Sequence, residues 1–589
     1  MSWIEKQPFS TFRGFNLTEL KIDEAWMNVT NLANQTLWLY QRSTDCYECP
    51  FKLRDDLDLS PGDNTAQFKV STKFPIKYRF RTDASSRYVL EDGDQSIFCE
   101  TEASLGEFGV YDLTADITGK CSLETQLEPV NIYLPLVLAA IFYCLLTIGA
   151  LIYQTNKARI FPKIGIKQNN SVKSATEKET PAPVVKQRLR SLDTFRGLCI
   201  IIMIFVNDGG AQYWFFEHAT WDGLYVADLV FPWFLWIMGV VIPVSIKSQL
   251  RKKIPKSAIL KGILIRSLKL IGIGLMLASR RGPINPETFR LPGVLQRFGV
   301  CYFVAASLML LSASEDFVTN RIHNNKIIRI FQDITILWKG WLLALSIIML
   351  HTLLTFLLKV PGCPTGYLGP GGIHLYKDIA SYPSPSHCIG GAAGYIDTQI
   401  LTIHHIFKFP TALSTYEAGP FDPEGILGTL PSIFQVWLGV QTGMTLQVFP
   451  TAKARLIRWS LWAILTGGVG AALSSAKQTG GLIPLNKNLW SLSYVAVTTC
   501  FALLLLITLF VLIDLKKWWS GSPFYEPGMN SILLYVGHSV GYVILPFHFG
   551  YKAAMVGTHF VRLVEALWGT SLWVLIAIYL CNIEYFWTL

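Results

Sequence analysis

"RSLDTFRGLCIIIMIFVNDGGAQYWFFEHATWDG", residues 190–223, is apolar through its middle and carries ionisable groups along its length. An apolar run of about 20 residues matches the hydrocarbon thickness of a bilayer, so the segment reads as a membrane-crossing helix over 195–216. Asp193 and Arg196 stand at one end, Asn207 and Asp208 partway, and His218 at the far end. Such groups are costly to take out of water and mark function more often than packing. Arg196 to Asn207 is eleven residues, and Asn207 to His218 is eleven more. Eleven helical residues turn roughly 20° beyond three full turns, so the three side chains share a face if the helix runs unbroken. Gly209 and Gly210 are where it would break. Each member also has an ordinary reading. Asp193 and Arg196 suit a structural i,i+3 pair, Asn207 an interhelical hydrogen bond, and His218 an interfacial histidine. Together they make a stripe along which a long ligand with an anionic head could lie.

The rest of the chain agrees with a membrane setting. Of 589 residues, 51% are hydrophobic and 16% charged, which points to a polytopic α-helical membrane protein. The net charge of +10 comes from short basic clusters between apolar runs, as a positive-inside bias produces. No basic patch interleaves with aromatics in a polar domain, so nucleic acid is not expected as a partner. Residues 1–130 lack a long apolar run and alternate like strands, giving an N-terminal β-rich domain. Sequons at Asn16, Asn28 and Asn34 favour a lumenal, glycosylated face. Cys46, Cys49, Cys99 and Cys121 make two disulfides in one of three pairings.

Residues 131–153 form the first span, and 154–190 a basic cytoplasmic linker. Ten more spans are expected in 191–589, near 195–216, 226–246, 257–279, 293–313, 336–359, 424–446, 458–475, 489–513, 529–549 and 568–588. That makes about eleven transmembrane helices. With the N-terminal domain lumenal, the basic loops fall in the cytosol and the C-terminus is cytoplasmic. The lumenal loop 360–423 is rich in Gly and Pro and reads as an irregular lid, closed by Cys363 and Cys388. Arg280, Arg281 and Arg290 in another lumenal loop break the charge rule and suit an acidic partner. Tyr213, Trp214, Phe215, Phe216 and Trp221 read as interfacial anchors around His218.

Weaker candidates are Asp222 and Asp228, which could orient His218, and Gln296 and Arg297. Asp422 and Glu424 at a helix start are explained by the helix dipole. Asn486, Lys487, Asn488, Asn530 and His538 could each merely satisfy neighbouring backbone. No metal pattern or hydrolase motif is present. A transporter is the rival class, but no internal repeat supports it.

"RLRSLDTFRG", "FEHATWDGLYVADLVFPWFLWIMG", "RLPGVLQRFG", "VPGCPTGYLGPGGI", "FDPEGILGT", "PLNKNLWSLSYV" and "GMNSILLYVGH", in this order, resemble the lysosomal transmembrane acetyltransferase family, that of heparan-α-glucosaminide N-acetyltransferase. The resemblance implies transfer of acetyl from cytosolic acetyl-CoA to a terminal glucosamine of heparan sulfate, at a lysosomal membrane, by a homodimer without a metal. It maps the active histidine to His218 and its assisting asparagine to Asn207, with Asp208 departing from the family pattern. On that reading Arg190, Asp193, Arg196, Gln296 and Arg297 serve acetyl-CoA. Trp221, Asp222, Asp228, Arg280, Arg281 and Glu424 serve the sugar.

Overall fold

A computed structural model describes residues 3–587, apart from 161–188, 281–283, 318–328, 379–384, 545–554 and the scattered positions 55, 56, 58, 62, 63, 85, 91–95, 315, 316, 542 and 543. Arg281 and most of the linker 154–190 therefore lie outside the described residues.

The first 130 residues fold as two packed sheets. One has four strands: β11 (Cys121–Leu127), β10 (Val110–Ala115), β3 (Glu24–Asn31) and β6 (Asn64–Ser71), in that spatial order. The other has five: β8 (Tyr88–Val89), β5 (Phe51–Leu53), β4 (Trp38–Ser43), β7 (Ile76–Arg81) and β9 (Ile97–Ala103). A short hairpin, β1 (Thr11–Phe12) and β2 (Phe15–Asn16), precedes them. Strict alternation makes β3: Ala25, Met27 and Val29 are buried while Asn28 and Thr30 face outward. They meet Leu39, Tyr78 and Phe80 of the second sheet in one core, the arrangement that lets each sheet hide one face. Cys99–Cys121 links the two sheets, and Cys46–Cys49 closes the turn after β4. Asn34 is exposed, whereas Asn16 and Asn28 are half-buried, and Asn28 donates to Asp112 at 3.1 Å.

After this domain the chain is helical. Six helices among the described residues are long and apolar enough to cross a membrane: α3 (Val226–Arg251), α5 (Val294–Ser312), α6 (Trp338–Leu357), α9 (Ala452–Leu473), α10 (Leu492–Leu515) and α13 (His559–Asn582). This is a multi-pass membrane protein. The remaining expected spans differ for physical reasons. In α1 (Leu134–Ile160) the apolar part is Leu134–Ala150. α2 (Arg190–Asn207) carries Arg190, Asp193 and Arg196, and α4 (Lys256–Ala278) carries Lys256, Lys261, Arg266 and Lys269. α8 (Ile426–Val448) is almost wholly buried inside the bundle and can therefore hold Gln435, Gln441, Thr442 and Thr445. Of the expected span 529–549, α12 (Ser531–Gly541) is described, following the short α11 (Tyr525–Met529), while 542, 543 and 545–549 lie outside the described residues. The loop 360–423 is not wholly irregular: after Gly390 and Gly391 it holds the ten-residue helix α7 (Ala392–Leu401). Cys363 is joined to Cys388 across it.

Two contacts set where the site lies. α3 crosses α8 backbone to backbone: a Cβ on Gly239 would sit 2.0 Å from the Val436 carbonyl, and one on Gly439 2.1 Å from that of Trp236. α2 presses on α11 the same way, with Gly197 against Phe524 and Gly528 against Asp193. Overpacking of this kind costs about 1–3 kcal/mol. Gly439→Val is therefore expected to lower the melting temperature in detergent clearly below that of the wild type. An unchanged melting temperature would show that the helices are not pressed together there.

Candidate active site

α2 ends at Asn207, so the long stripe is corrected: Arg196 and Asn207 share a helix, and His218 does not continue it. Gly209, Gly210, Ala211 and Gln212 all have positive φ, at 100°, 54°, 57° and 61°. Glycine adopts this region freely, whereas Ala211 and Gln212 are strained in it. The chain leaves the helix here and runs through two short 3-10 turns to His218. Packing holds the strained segment. Tyr213 is 1% exposed, donates to the Ile132 carbonyl and stacks on His559 at 4.2 Å between ring centres. The His559 Nδ1 bonds the Ala211 carbonyl at 2.8 Å, and its Nε2 lies 3.5 Å from Glu107 of the β domain. Tyr213 and Trp221 are thus buried braces rather than anchors at a lipid interface. Trp221 donates to the Leu368 carbonyl at 2.9 Å and ties this loop to the lid.

His218 reaches its place through Asp228, in the first turn of α3. Its Nδ1 lies 2.7 Å from Asp228 Oδ1. The Oδ2 atom accepts from the Ala219 and Tyr225 amides, each at 3.1 Å. Asp228 is 1% exposed, so one buried carboxylate caps α3 and fixes the imidazole at once. A carboxylate only accepts, so Nδ1 carries the proton, and the Nε2 lone pair faces the Lys487 ammonium. Lys487 Nζ is 3.1 Å and 3.2 Å from the two ring nitrogens and 3.9 Å from Asp228.

Asn207 Nδ2 donates to His538 Nε2 at 3.0 Å. His538 Nδ1 faces the Leu534 carbonyl at 3.0 Å, which fixes the tautomer in which Nε2 accepts. Lys487 and His538 were the pieces that residue-by-residue reading undervalued. The available signal was a lone lysine in "NKN" at the mouth of a span.

Two cavities meet at His218. One, of about 250 Å³, is chiefly apolar and runs between α2, α3, α4, α5 and α12; Asn207, Glu424, Lys487 and Tyr535 are on its wall. The other, of about 590 Å³, is polar and lies between the β domain, the His218 loop and the lid. Among the described residues, His218 is the one side chain that lines both.

Other expected residues fall elsewhere. Arg196 contacts Asp193 and the Gly528 carbonyl, each at 3.3 Å, and Arg190 stacks on Tyr525 at 4.5 Å. Both surround α11, at the end of α2 away from His218. Gln296 bonds the Leu291 carbonyl and Arg297 the Gly425 carbonyl; neither lines the apolar cavity. Arg280 bonds the Ser539 carbonyl and lines neither cavity. Arg290 clasps Asp422 with two bonds, at 2.8 Å and 2.7 Å, and Glu424 with a third at 2.5 Å. An ion-paired clamp thus replaces the helix-dipole explanation for that acid pair.

Asp222 accepts from Asn486 at 2.9 Å. Burial pushes its carboxyl up from 3.8 to about 7, against the opposing pull of that hydrogen bond. Between these values the folded chain keeps a proton that the unfolded chain has released. Stability therefore falls as pH rises through that window, with nothing further lost above it. Asp222→Asn is expected to flatten the fall in melting temperature between about pH 4 and pH 7. An unchanged slope would mean that another group sets it.

A family model for the catalytic part of heparan-alpha-glucosaminide N-acetyltransferase matches residues 188–357. That segment carries Asn207, His218 and Asp228, while Glu424, Lys487 and His538 lie beyond it. The chain is 37% identical over 610 residues to the heparan-alpha-glucosaminide N-acetyltransferase of Mus musculus, covering 97% of this chain and 89% of that protein. To the Homo sapiens protein of that name it is 38% identical over 613 residues, covering 97% and 88%. The membrane helices, the matched segment and these relatives together define a membrane-embedded acyltransferase. Within that class the chain belongs to the heparan-alpha-glucosaminide N-acetyltransferase family.

Proposed function

We propose that this enzyme moves acetyl from cytosolic acetyl-CoA to the terminal glucosamine amine of heparan sulfate in the lysosomal lumen. On this reading the β domain is lumenal and the C-terminus cytoplasmic. The observation that carries the proposal is His218, set between an apolar and a polar cavity. The apolar cleft suits the flexible arm and thioester of the donor. Arg190 and Arg196, around Tyr525, suit its phosphates through charge-assisted hydrogen bonds. The polar cleft suits a sugar.

Chemistry follows from the tautomer. An amine must be neutral to attack, and in an acidic lumen most of it is protonated. His218 Nε2, which accepts because Nδ1 gives its proton to Asp228, takes the amine proton once Lys487 turns from it toward the oxyanion, as the amine nitrogen bonds to the thioester carbonyl. The carbon–sulfur bond then breaks, and the proton leaves with the CoA thiol. Asn207 has a second amide hydrogen beyond the one given to His538, and Lys487 has ammonium hydrogens. Either can meet the oxyanion, a stabilisation on the order of 3 kcal/mol. Because both clefts end on one side chain, both substrates can be present together, which favours direct transfer over an acetylated histidine.

The test is purified protein in detergent given acetyl-CoA and glucosamine, with CoA release and N-acetylglucosamine followed together. Stoichiometric formation of both supports the reading; folded protein that forms neither overturns it. Single-turnover work without acceptor separates the two routes, since an acetyl adduct on His218 with release of CoA would replace direct transfer by the carrier route.

A further inference from the structure

Acetyl transfer to an amine needs no large cationic surface, yet the polar cleft has one. Arg42 on β4, Lys52 on β5, Arg54 just after it, Lys69 on β6, and Lys73 line its β-domain wall. Asp45 is the one carboxylate among the described residues on that wall, and Thr220 donates to it at 2.7 Å. The opposite wall supplies Glu217 and Glu417. Among the described residues, five cations therefore line this cleft with three carboxylates, and all five cations belong to the β domain.

Strand geometry explains the array. Phe68 and Val70 point into the sandwich core, so Lys69 between them points out. Lys52 and Arg54 are two residues apart, about 7 Å along an extended chain. Arg54 lies over the Phe68 ring at 4.1 Å, and Arg42 over Phe51 at 4.7 Å. The lysines have carboxylate partners, but solvent-facing ones. Lys52 and Glu417 are each 40% exposed, and Lys69 and Glu19 are 36% and 53% exposed. Exposed pairs of this kind contribute little, so a ligand with closely repeated fixed negative charge can replace the carboxylates at small cost.

We propose that this wall is an extended subsite for the sulfated chain behind the acceptor sugar. Sulfate groups on the sugars following the terminal glucosamine dock on Lys52, Arg54 and Lys69 while the terminal amine reaches His218. The inference rests on the acceptor reading given above. It moves the sulfate-binding role from Arg280, which lines neither cavity, to the β domain. It also gives that domain a part in acceptor selection.

The experiment compares kcat/KM for two acceptors: a sulfated tetrasaccharide ending in unsubstituted glucosamine, and free glucosamine. The quantity read is the ratio of the two, in full-length protein in detergent. In the Lys52→Gln/Lys69→Gln double variant the ratio is expected to fall about tenfold through loss of two charge-assisted contacts. In the wild type the ratio is expected to fall as ionic strength rises from about 0.05 M to about 0.3 M, because screening weakens exposed contacts. The Lys52→Arg/Lys69→Arg variant is expected to keep the wild-type ratio. A double variant with the wild-type ratio overturns the inference. So does a wild-type ratio indifferent to salt, and that arm needs no variant to fold. If free glucosamine is acetylated while the ratio stays fixed, the subsite alone fails. If neither acceptor is acetylated, the acetyltransferase reading fails with it.

Discussion

His218→Ala is expected to lower kcat by about 10²–10⁴, the range that a positioned proton-transfer group supplies. Its side chain is 40% exposed, so its removal leaves no cavity in the core, and stability in detergent should fall only by the loss of the bond to buried Asp228, about 1–3 kcal/mol. The KM for acetyl-CoA should also change little, because Arg190, Arg196 and most of the apolar cleft lie on other elements. Steady-state kinetics and a melting curve on the same preparation check both parts. Near-wild-type kcat in folded His218→Ala protein would refute the central role of this residue.

Asp228→Asn is expected to lower kcat by about 10³–10⁴, as loss of the orienting carboxylate does in other histidine-based sites, and also to weaken the fold. The carboxylate accepts from His218, Ala219 and Tyr225 at once. An asparagine has one accepting oxygen. If that oxygen keeps the two backbone amides, the new NH2 faces His218 Nδ1 and drives the proton to Nε2, where the lone pair is needed. If the oxygen turns to His218, the Ala219 amide in the His218 loop and the Tyr225 amide at the start of α3 lose their acceptor, a cost of about 1–3 kcal/mol. Both outcomes reduce kcat more than KM. A variant with wild-type kcat and an unaltered pH profile would show that Asp228 only caps the helix.

The membrane class, the β-rich first domain and the family were legible in the sequence, because apolar length, strand alternation and unusual motif strings are local properties. The site was legible only in part. Counting along a helix linked Arg196 to Asn207 correctly, since α2 is regular to Asn207. It failed for His218, because four successive positive φ angles turn the chain aside. The aromatics after that turn looked interfacial by composition, yet Tyr213 and Trp221 are buried. Burial depends on His559 and Leu368, far away in the chain.

By itself, then, the sequence determined which residue types were present and which segments were apolar, alternating or basic. Those are properties of a window of neighbours, fixed by backbone periodicity and side-chain transfer energies. Tertiary structure alone decided that Lys487 and Asp228 meet at His218, that His538 orients Asn207, and that Lys52 and Lys69 line one cleft with His218. Each of these joins groups separated by up to several hundred residues. Their encounter is set by how helices cross at Gly239 and Gly439, and by how the β domain seats on the lid through part-buried contacts such as the Tyr47 amide donating to the Tyr416 hydroxyl. Close packing transmits such constraints across the molecule, and no stretch of the chain encodes them alone.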